Sequence, residues 1–395
     1  MGLSTCRRHV STSERTNEAL LQRTRTERGI DTGSPFGQLR DFGRVDADVN
    51  EARPPGFRPP RHRGCALPPP LEEPPWCSRG WEVADPTAGN DYRCVSLLPY
   101  RIVHYSQQDP RAHVGGVETF ARSLGLIFEE VEFMTPATLD VERVRRQRLP
   151  VVCDNHFVLD FPADVPVIGF QHGVARVKFA STRNWGDLKR LRLQAKAARR
   201  PNVTWVACAQ WISETFGRLH GNRAEHVIYH PVDLDRFDGR LTGERPRLVL
   251  HDARTEHKGK HLVEHLARAF PDWEFEALDC RPEEVPARMR SAQAFVHLSR
   301  YEGNSIVCNE AMAMNLPCFF TRVGLMQDAD GPKDVYLVDP GEARRRPQRL
   351  VEAFGDFVSS LGTRAYRPRV WSERHASPEA SRRGWERVVA TFLGV

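Results

Sequence analysis

No apolar run approaches the roughly eighteen residues that a membrane span needs, which argues against an integral membrane helix. Arg7 and Arg8 have no apolar stretch behind them, so neither a secretory nor a twin-arginine leader is expected. The 9 cysteines include no C-x-x-C pair and follow no regular framework, which fits a reducing cytoplasm better than a disulfide scaffold. Lysine is absent from the first 95 residues. Neither sign of charge dominates: the net charge of +6 permits anionic partners without demanding them. Phosphate-bearing small molecules, an anionic membrane surface and nucleic acid all stay open on that ground.

At 395 residues the chain is too long for one ordinary core, and two domains with additional segments are expected. Residues 1–96 are rich in Arg, Pro and Gly and hold no sustained period. Stretches such as PPGFRPP and ALPPPLEEPP bury too little apolar surface to offset ordering entropy, so an extended or disordered extension is expected there. From Tyr100 the texture changes. RIVHYSQ, VPVIGFQHG, TWVACAQ, RLVLHDAR, EFEALD, AFVHLS, LPCFFT and VYLVD are short apolar runs with the look of buried strands. Helical patterns lie between them: VETFARSLGLIF, AQWISETFGRL, KHLVEHLARAF and EEVPARMRSA. Such alternation predicts an α/β fold of parallel sheets wound by helices. The aperiodic run HPVDLDRFDGRLTGERPR places a domain boundary near residue 240, giving two doubly wound, Rossmann-like domains facing a cleft over 97–240 and 241–376. A final helix, 377–395, is expected to return toward the first domain.

Ligands of such sheets sit beyond the carboxyl ends of strands, often at helix starts. The chemistry-bearing residues fall at those turns. In HVGGVETFARSL, Gly115 and Gly116 allow close backbone approach to a phosphate or sugar, with Glu118 in the first turn of the next helix. In FQHGVARVK, His172 ends an apolar strand and would face the cleft; His156 in CDNHF is a weaker parallel. In LHDARTEHKGKHL, Arg254 and Lys258 stand between a strand and a helix, a pattern suited to a diphosphate. Each such cation about 4 Å from a phosphate charge gives roughly 4 kcal/mol at an effective dielectric near 20, before desolvation. In RYEGNSIVCNEAMAMNLP, Glu302 precedes a helix that Ser305 or Asn304 would cap, and Glu310 follows inside it with seven residues between the two acids. Two carboxylates about a helical turn apart suit two polyols of one ligand. Asn315 is the expected left-handed stop, and Pro317 opens the next strand.

These pieces resemble the retaining glycosyltransferases of family 4, which have the GT-B fold. The resemblance rests on EGNSIVCNEAMAMNLP as an E-x7-E signature, on GGVE, QHG, VIYHPVDLDRF and R-x-x-x-K-G in the same order, and on the closing SPEASRRGWERV. It covers residues 100–395. It implies a first domain that receives the acceptor and a second that holds a nucleoside-diphosphate sugar as donor substrate, with no further cofactor. By position it implies that Arg254 and Lys258 bind the diphosphate and that Glu310 holds the ribose. Glu302 would contact the transferred sugar, and the amides of Gly303, Asn304, Ser305 and Ile306 would approach the sugar and phosphate. Gly115 and Gly116 would line the opposite wall, with His172 near the reacting sugar. Asn304 replaces a common aromatic, Leu325 stands where a second glycine often follows Gly324, and the first domain is short.

The reaction expected is glycosyl transfer with retention to a hydroxyl of a glycan, lipid or small molecule. Asp233 and Asp235 match a manganese-binding D-x-D, but they lie in the interdomain link and are read as structural, so no metal is expected. Rival readings are a nucleotide-sugar-binding protein without turnover, an epimerase-type enzyme, and a transferase acting on DNA bases. The basic stretch LKRLRLQAKAARRPN is compatible with solvation first, then with peripheral contact to an anionic membrane surface; nucleic acid is disfavoured as a partner. A cytoplasmic location, peripheral to the inner membrane surface at most, is the matching expectation.

Overall fold

Burial of short apolar strands on both faces builds two parallel sheets. The structure, a computed structural model, describes residues 96–394. The expected Arg/Pro-rich extension, apart from Ser96, lies outside the described residues. The first sheet holds β1 (Leu98–Tyr105), β2 (Phe128–Met134), β3 (Val151–Asp154), β4 (Val167–Gln171), β5 (Val203–Ala207) and β6 (His226–Val227). Its order is β2-β1-β3-β4-β5-β6, parallel throughout. The second holds β7 (Leu248–His251), β8 (Glu274–Ala277), β9 (Ala294–His297), β10 (Cys318–Thr321) and β11 (Tyr336–Val338) in the order β11-β10-β9-β7-β8, again parallel. The winding is the same in both. Strand order reverses between β1 and β3 in one lobe and between β7 and β9 in the other. A doubly wound sheet opens its ligand crevice at that reversal.

Helices of the first lobe are α1 (Gly116–Ser123), α2 (Val141–Gln147), α3 (Ala175–Thr182), α4 (Asp187–Ala197) and α5 (Gln210–His220). The second lobe adds α6 (Lys260–Ala269), α7 (Val285–Ser291), α8 (Ile306–Ala313), α9 (Pro340–Arg345) and α10 (Pro347–Ser360), followed by α11 (Arg369–His375) and α12 (Pro378–Leu393). α6 buries Leu262, Val263 and Leu266, one helical face. Gly259 opens it at φ 84°, where a side chain would also strike the Leu298 carbonyl, so glycine is required twice over. After α8, Asn315 takes φ 59°, the left-handed stop expected before Pro317. Among the described residues no helix is long and apolar enough to cross a membrane.

Every strand expected from sequence is present, but β2, β3 and β6 were not among them. β2, FEEVEFM, carries exposed Glu129 and Glu130 on a sheet edge and blurs into the helical pattern before it. β3 and β6 span only 4 and 2 residues. Between β6 and β7 the chain crosses the lobes without helix or strand. There Asp233 accepts hydrogen bonds from the amides of Asp235 and Arg236 at 3.1 and 3.0 Å, so the D-x-D sequence closes a turn. Arg369 binds this link at the Leu234 carbonyl (3.3 Å) and α8 at the Ala313 carbonyl (2.6 Å).

Ser377 caps α12 by accepting from the Ala380 amide at 3.1 Å, and the helix lies on β5 and β6 of the first sheet. Its Trp385 is fully buried, stacked on Phe170 with ring centroids 5.7 Å apart and edge-on to Phe128. Trp385→Ala is expected to cost about 3–5 kcal/mol in denaturant unfolding. A loss below about 1 kcal/mol would remove α12 from the first-lobe core.

Candidate active site

At the reversal in the second sheet, β7 runs into Asp252 and β9 ends on His297. Asp252 Oδ1 lies 2.6 Å from His297 Nδ1, and its Oδ2 lies 3.2 Å from Lys258 Nζ. Lys258 Nζ also donates to Glu302 Oε1 at 2.6 Å, with His297 Nε2 3.4 Å from the same oxygen. Burial alone would raise both acids and lower both bases. The mutual charges outweigh it: Lys258 and His297 bring Glu302 down to about 2 and hold Asp252 below the usual carboxylate range. Conversely, Glu302 and Asp252 raise Lys258, and Asp252 raises His297. All four are therefore ionised at neutral pH, two of each sign.

Beyond Glu302 the chain turns into α8. Ser305 is the N-cap in extended conformation with no side-chain cap bond, leaving the first N–H groups of α8 available to an anion. Gly303 lies against the His172 carbonyl of the first lobe, and any Cβ there would overlap it. Around this point the lobes are stitched together. Trp211 Nε1 donates to the Gly303 carbonyl at 3.0 Å, and Asn304 Nδ2 to the Cys208 carbonyl at 3.0 Å. The Val174 amide donates to the Tyr301 hydroxyl at 2.7 Å. Asp328 accepts from the amides of Gln210 and Trp211, each at 2.8 Å, and from the Tyr229 hydroxyl at 2.9 Å.

The first lobe repeats the theme at its own reversal. Asp154, ending β3, accepts from His104 on β1 at 3.1 Å and from His172 Nε2 at 2.8 Å. His172 Nδ1 lies 3.3 Å from His230 Nε2, so both ring nitrogens of His172 are engaged inside the lobe, and its side chain is 11% exposed. Burial, then the His172 ring, push His230 well below the ordinary histidine range. Its carbonyl, not its ring, is the part of His172 that meets the second lobe.

Of the residues expected from sequence, Lys258, Glu302 and the Gly303–Ile306 backbone come together, with the His172 carbonyl beside them. Gly115 and Gly116 lead into α1, which lies against α8 across the cleft. Arg254 is exposed and pairs with Asp279 at 3.1 Å, outside the Lys258 cluster. Glu310, half-buried on α8, has no ion-pair partner among the described residues; burial pushes it up to about 7 against a weak opposing pull from Arg236. Asp252, His297, Asp154, His104 and His230 were not anticipated. Asp154 and His297 share a legible signal, a polar residue ending a buried strand.

Residues 251–357 match the family model described as glycosyl transferases group 1. No curated protein sequence matches the chain. Among solved structures, sucrose-phosphate synthase from Thermosynechococcus elongatus is similar at TM-score 0.59 and 16% identity, covering 75% of this chain and 100% of that one. HepE from Anabaena in complex with UDP is similar at 0.56 and 15%, over 74% and 100%. A glycosyltransferase from Rickettsia africae gives 0.51 and 12%, over 75% and 99%. The fold is GT-B. The matched segment, 251–357, is the part of the second lobe that carries the E-x7-E and R-x-x-x-K-G sequences.

Because Glu310 titrates near 7 when folded against an ordinary 4.5, its favourable contribution is complete below about 4.5 and is lost as pH rises through 7. Glu310→Gln is therefore expected to exceed the wild type in unfolding free energy at pH 8, by ~3 kcal/mol at most, and to lose that advantage toward pH 4.5. A difference independent of pH would contradict the burial of this carboxyl.

Proposed function

We propose that the protein transfers a glycosyl group from a nucleoside-diphosphate sugar to a hydroxyl acceptor, with retention at the anomeric carbon and without a metal ion. The observation that carries this reading is Lys258, a cation set at the strand-order reversal and tied through Glu302 to the uncapped start of α8. The diphosphate would lie between Lys258 and the α8 amides, displacing one carboxylate from the lysine. Glu302, kept ionised, would accept a hydroxyl of the transferred sugar, and Glu310, neutral or ionised near pH 7, would meet the ribose. Arg254 would swing from Asp279 to the phosphates; Gly115 and Gly116 would line the facing wall.

As the bond from the anomeric carbon to the phosphate oxygen breaks, negative charge gathers on that oxygen, and Lys258 with the helix start stabilises it. The acceptor oxygen bonds to the same face of the carbon and passes its proton to the departing phosphate oxygen. A front-face route suits a site whose acid, Glu302, holds no proton to give at neutral pH. His172 would act by holding the first lobe against Gly303. The UDP and UDP-glucose complexes of the Anabaena protein support a uridine donor as the first to try. Trp185, 76% exposed beside the basic face of α4 (Lys189, Arg192, Lys196), is the surface by which an anionic membrane would be met.

Turnover should be tested across uridine, guanosine and adenosine diphosphate sugars with and without chelator, reading the anomeric configuration of the product by NMR. The expected product keeps the donor's configuration, and chelator changes nothing. An inverted product rules out the front-face step, and loss of turnover with chelator rules out metal independence. Lys258→Ala is expected to lower turnover by about 10² to 10³ with the fold intact by circular dichroism; near wild-type turnover refutes its role.

A further inference from the structure

Asp252 and Glu302 both hold Lys258, and a diphosphate arriving at that cation must take the place of one of them. Their ties differ. Asp252 stands just beyond β7 and is 7% exposed, with Oδ1 held by His297 Nδ1 at 2.6 Å and Oδ2 beside Lys258 Nζ at 3.2 Å. Glu302 sits in the turn before α8 and is bonded through Oε1, to Lys258 at 2.6 Å. A carboxylate pinned at both oxygens stays, whereas one pinned at a single oxygen, on a turn, is free to leave. Glu302 is therefore the acid that the diphosphate displaces.

Burial would raise Glu302, and Lys258 is the first of the charges that hold it down. A largely buried acid that loses its counter-charge takes up a proton rather than stay ionised. A second donor stands beside it. His297, 2% exposed at the end of β9, has Nε2 3.4 Å from the same Oε1, and that nitrogen is buried without a hydrogen-bond partner among the described residues. Its Nδ1, given to Asp252, fixes the orientation of the ring and favours the doubly protonated form. The other titratable groups facing the pair are His257 and Lys258 from the turn before α6 and Cys308 of α8. Phe320 of β10 lies edge-on to the ring, centroids 6.1 Å apart, and adds no charge. We propose that His297, aimed by Asp252, is a positioning residue of the donor site: as a diphosphate draws Lys258 away, Nε2–H closes on Glu302 and keeps it ionised and directed at the transferred sugar. His297 itself touches neither donor nor acceptor. The inference rests on reading Lys258 as the partner of the diphosphate and Glu302 as the partner of the sugar.

The test is proton–nitrogen correlation NMR of the imidazoles in the full chain labelled with nitrogen-15 histidine, titrated with uridine, guanosine and adenosine diphosphates. The His297 signals are those lost in His297→Gln. On saturation with a nucleoside diphosphate, Hε2 of His297 is expected to move downfield while Hδ1, already bonded to Asp252, keeps its place. In Glu302→Gln the same ligand should leave Hε2 unmoved, and this variant also identifies the signal if His297→Gln does not fold. Calorimetry supplies a second readout. Without the imidazolium, Glu302 leaves Lys258 only by taking up a proton, so His297→Gln should bind the nucleoside diphosphate about tenfold more weakly than the wild type near pH 8 and recover as pH falls toward about 5. The ratio of the two Kd values removes the ionisation of the ligand and of His257, which are common to both proteins. A ratio constant with pH marks a structural role alone and overturns the inference, as does an Hε2 that stays put while the ligand binds; either result leaves Lys258 as the donor site. If none of the three diphosphates binds the wild type, the donor reading falls and this inference falls with it.

Discussion

Lys258 shares its charge between Asp252 and Glu302, and the geometry of the second lobe's crevice depends on that sharing. Four ionised groups taken out of water would each cost several kcal/mol if left alone. Here each faces an opposite charge within about one side-chain contact, so the cluster is neutral as a whole. The turns before α6 and α8 are thereby held in one relation, and α8 presents its start to the cleft. On the proposed reading, a site already neutral would receive a diphosphate by exchanging one anion for another at Lys258, so no isolated charge need be uncovered on the way.

The two sheets solve the same problem twice. Each places a histidine–aspartate pair across its strand-order reversal, His104–Asp154 in one lobe and Asp252–His297 in the other. In the first lobe the pair, extended by His172 and His230, braces a loop; in the second it sets a lysine. Between them Gly303 permits a backbone-to-backbone approach that any larger residue would block. Asn304 spends its amide on the Cys208 carbonyl and so serves the join between lobes.

The doubly wound architecture was legible because its central strands are short, apolar and punctuated, and Asn315 and Pro317 mark the end of α8 as clearly in sequence as in space. β2 was hidden by its glutamates, since an edge strand need bury only one face. At the site, Lys258 and Glu302 were legible from their place between strand and helix. Asp252 was not, because a carboxylate beside Arg254 reads as a solvated charge until the fold turns Arg254 outward to Asp279 and Asp252 inward to His297. His172 was expected to turn its ring to the cleft, but both ring nitrogens are engaged by residues 18 and 58 positions away, a pairing that spacing alone does not reveal.

Asp328 belongs to the second lobe yet supplies the missing acceptor for the first two amides of α5 in the other, while also taking the Tyr229 hydroxyl from the link between them. Pulling the halves apart therefore strips the end of a helix that has no cap of its own, and the same movement breaks the bond from Trp211 to Gly303. Widening the gap and fraying α5 become one event, in which Asp328 acts together with the bonds of Trp211, Asn304 and Tyr301 across the same join.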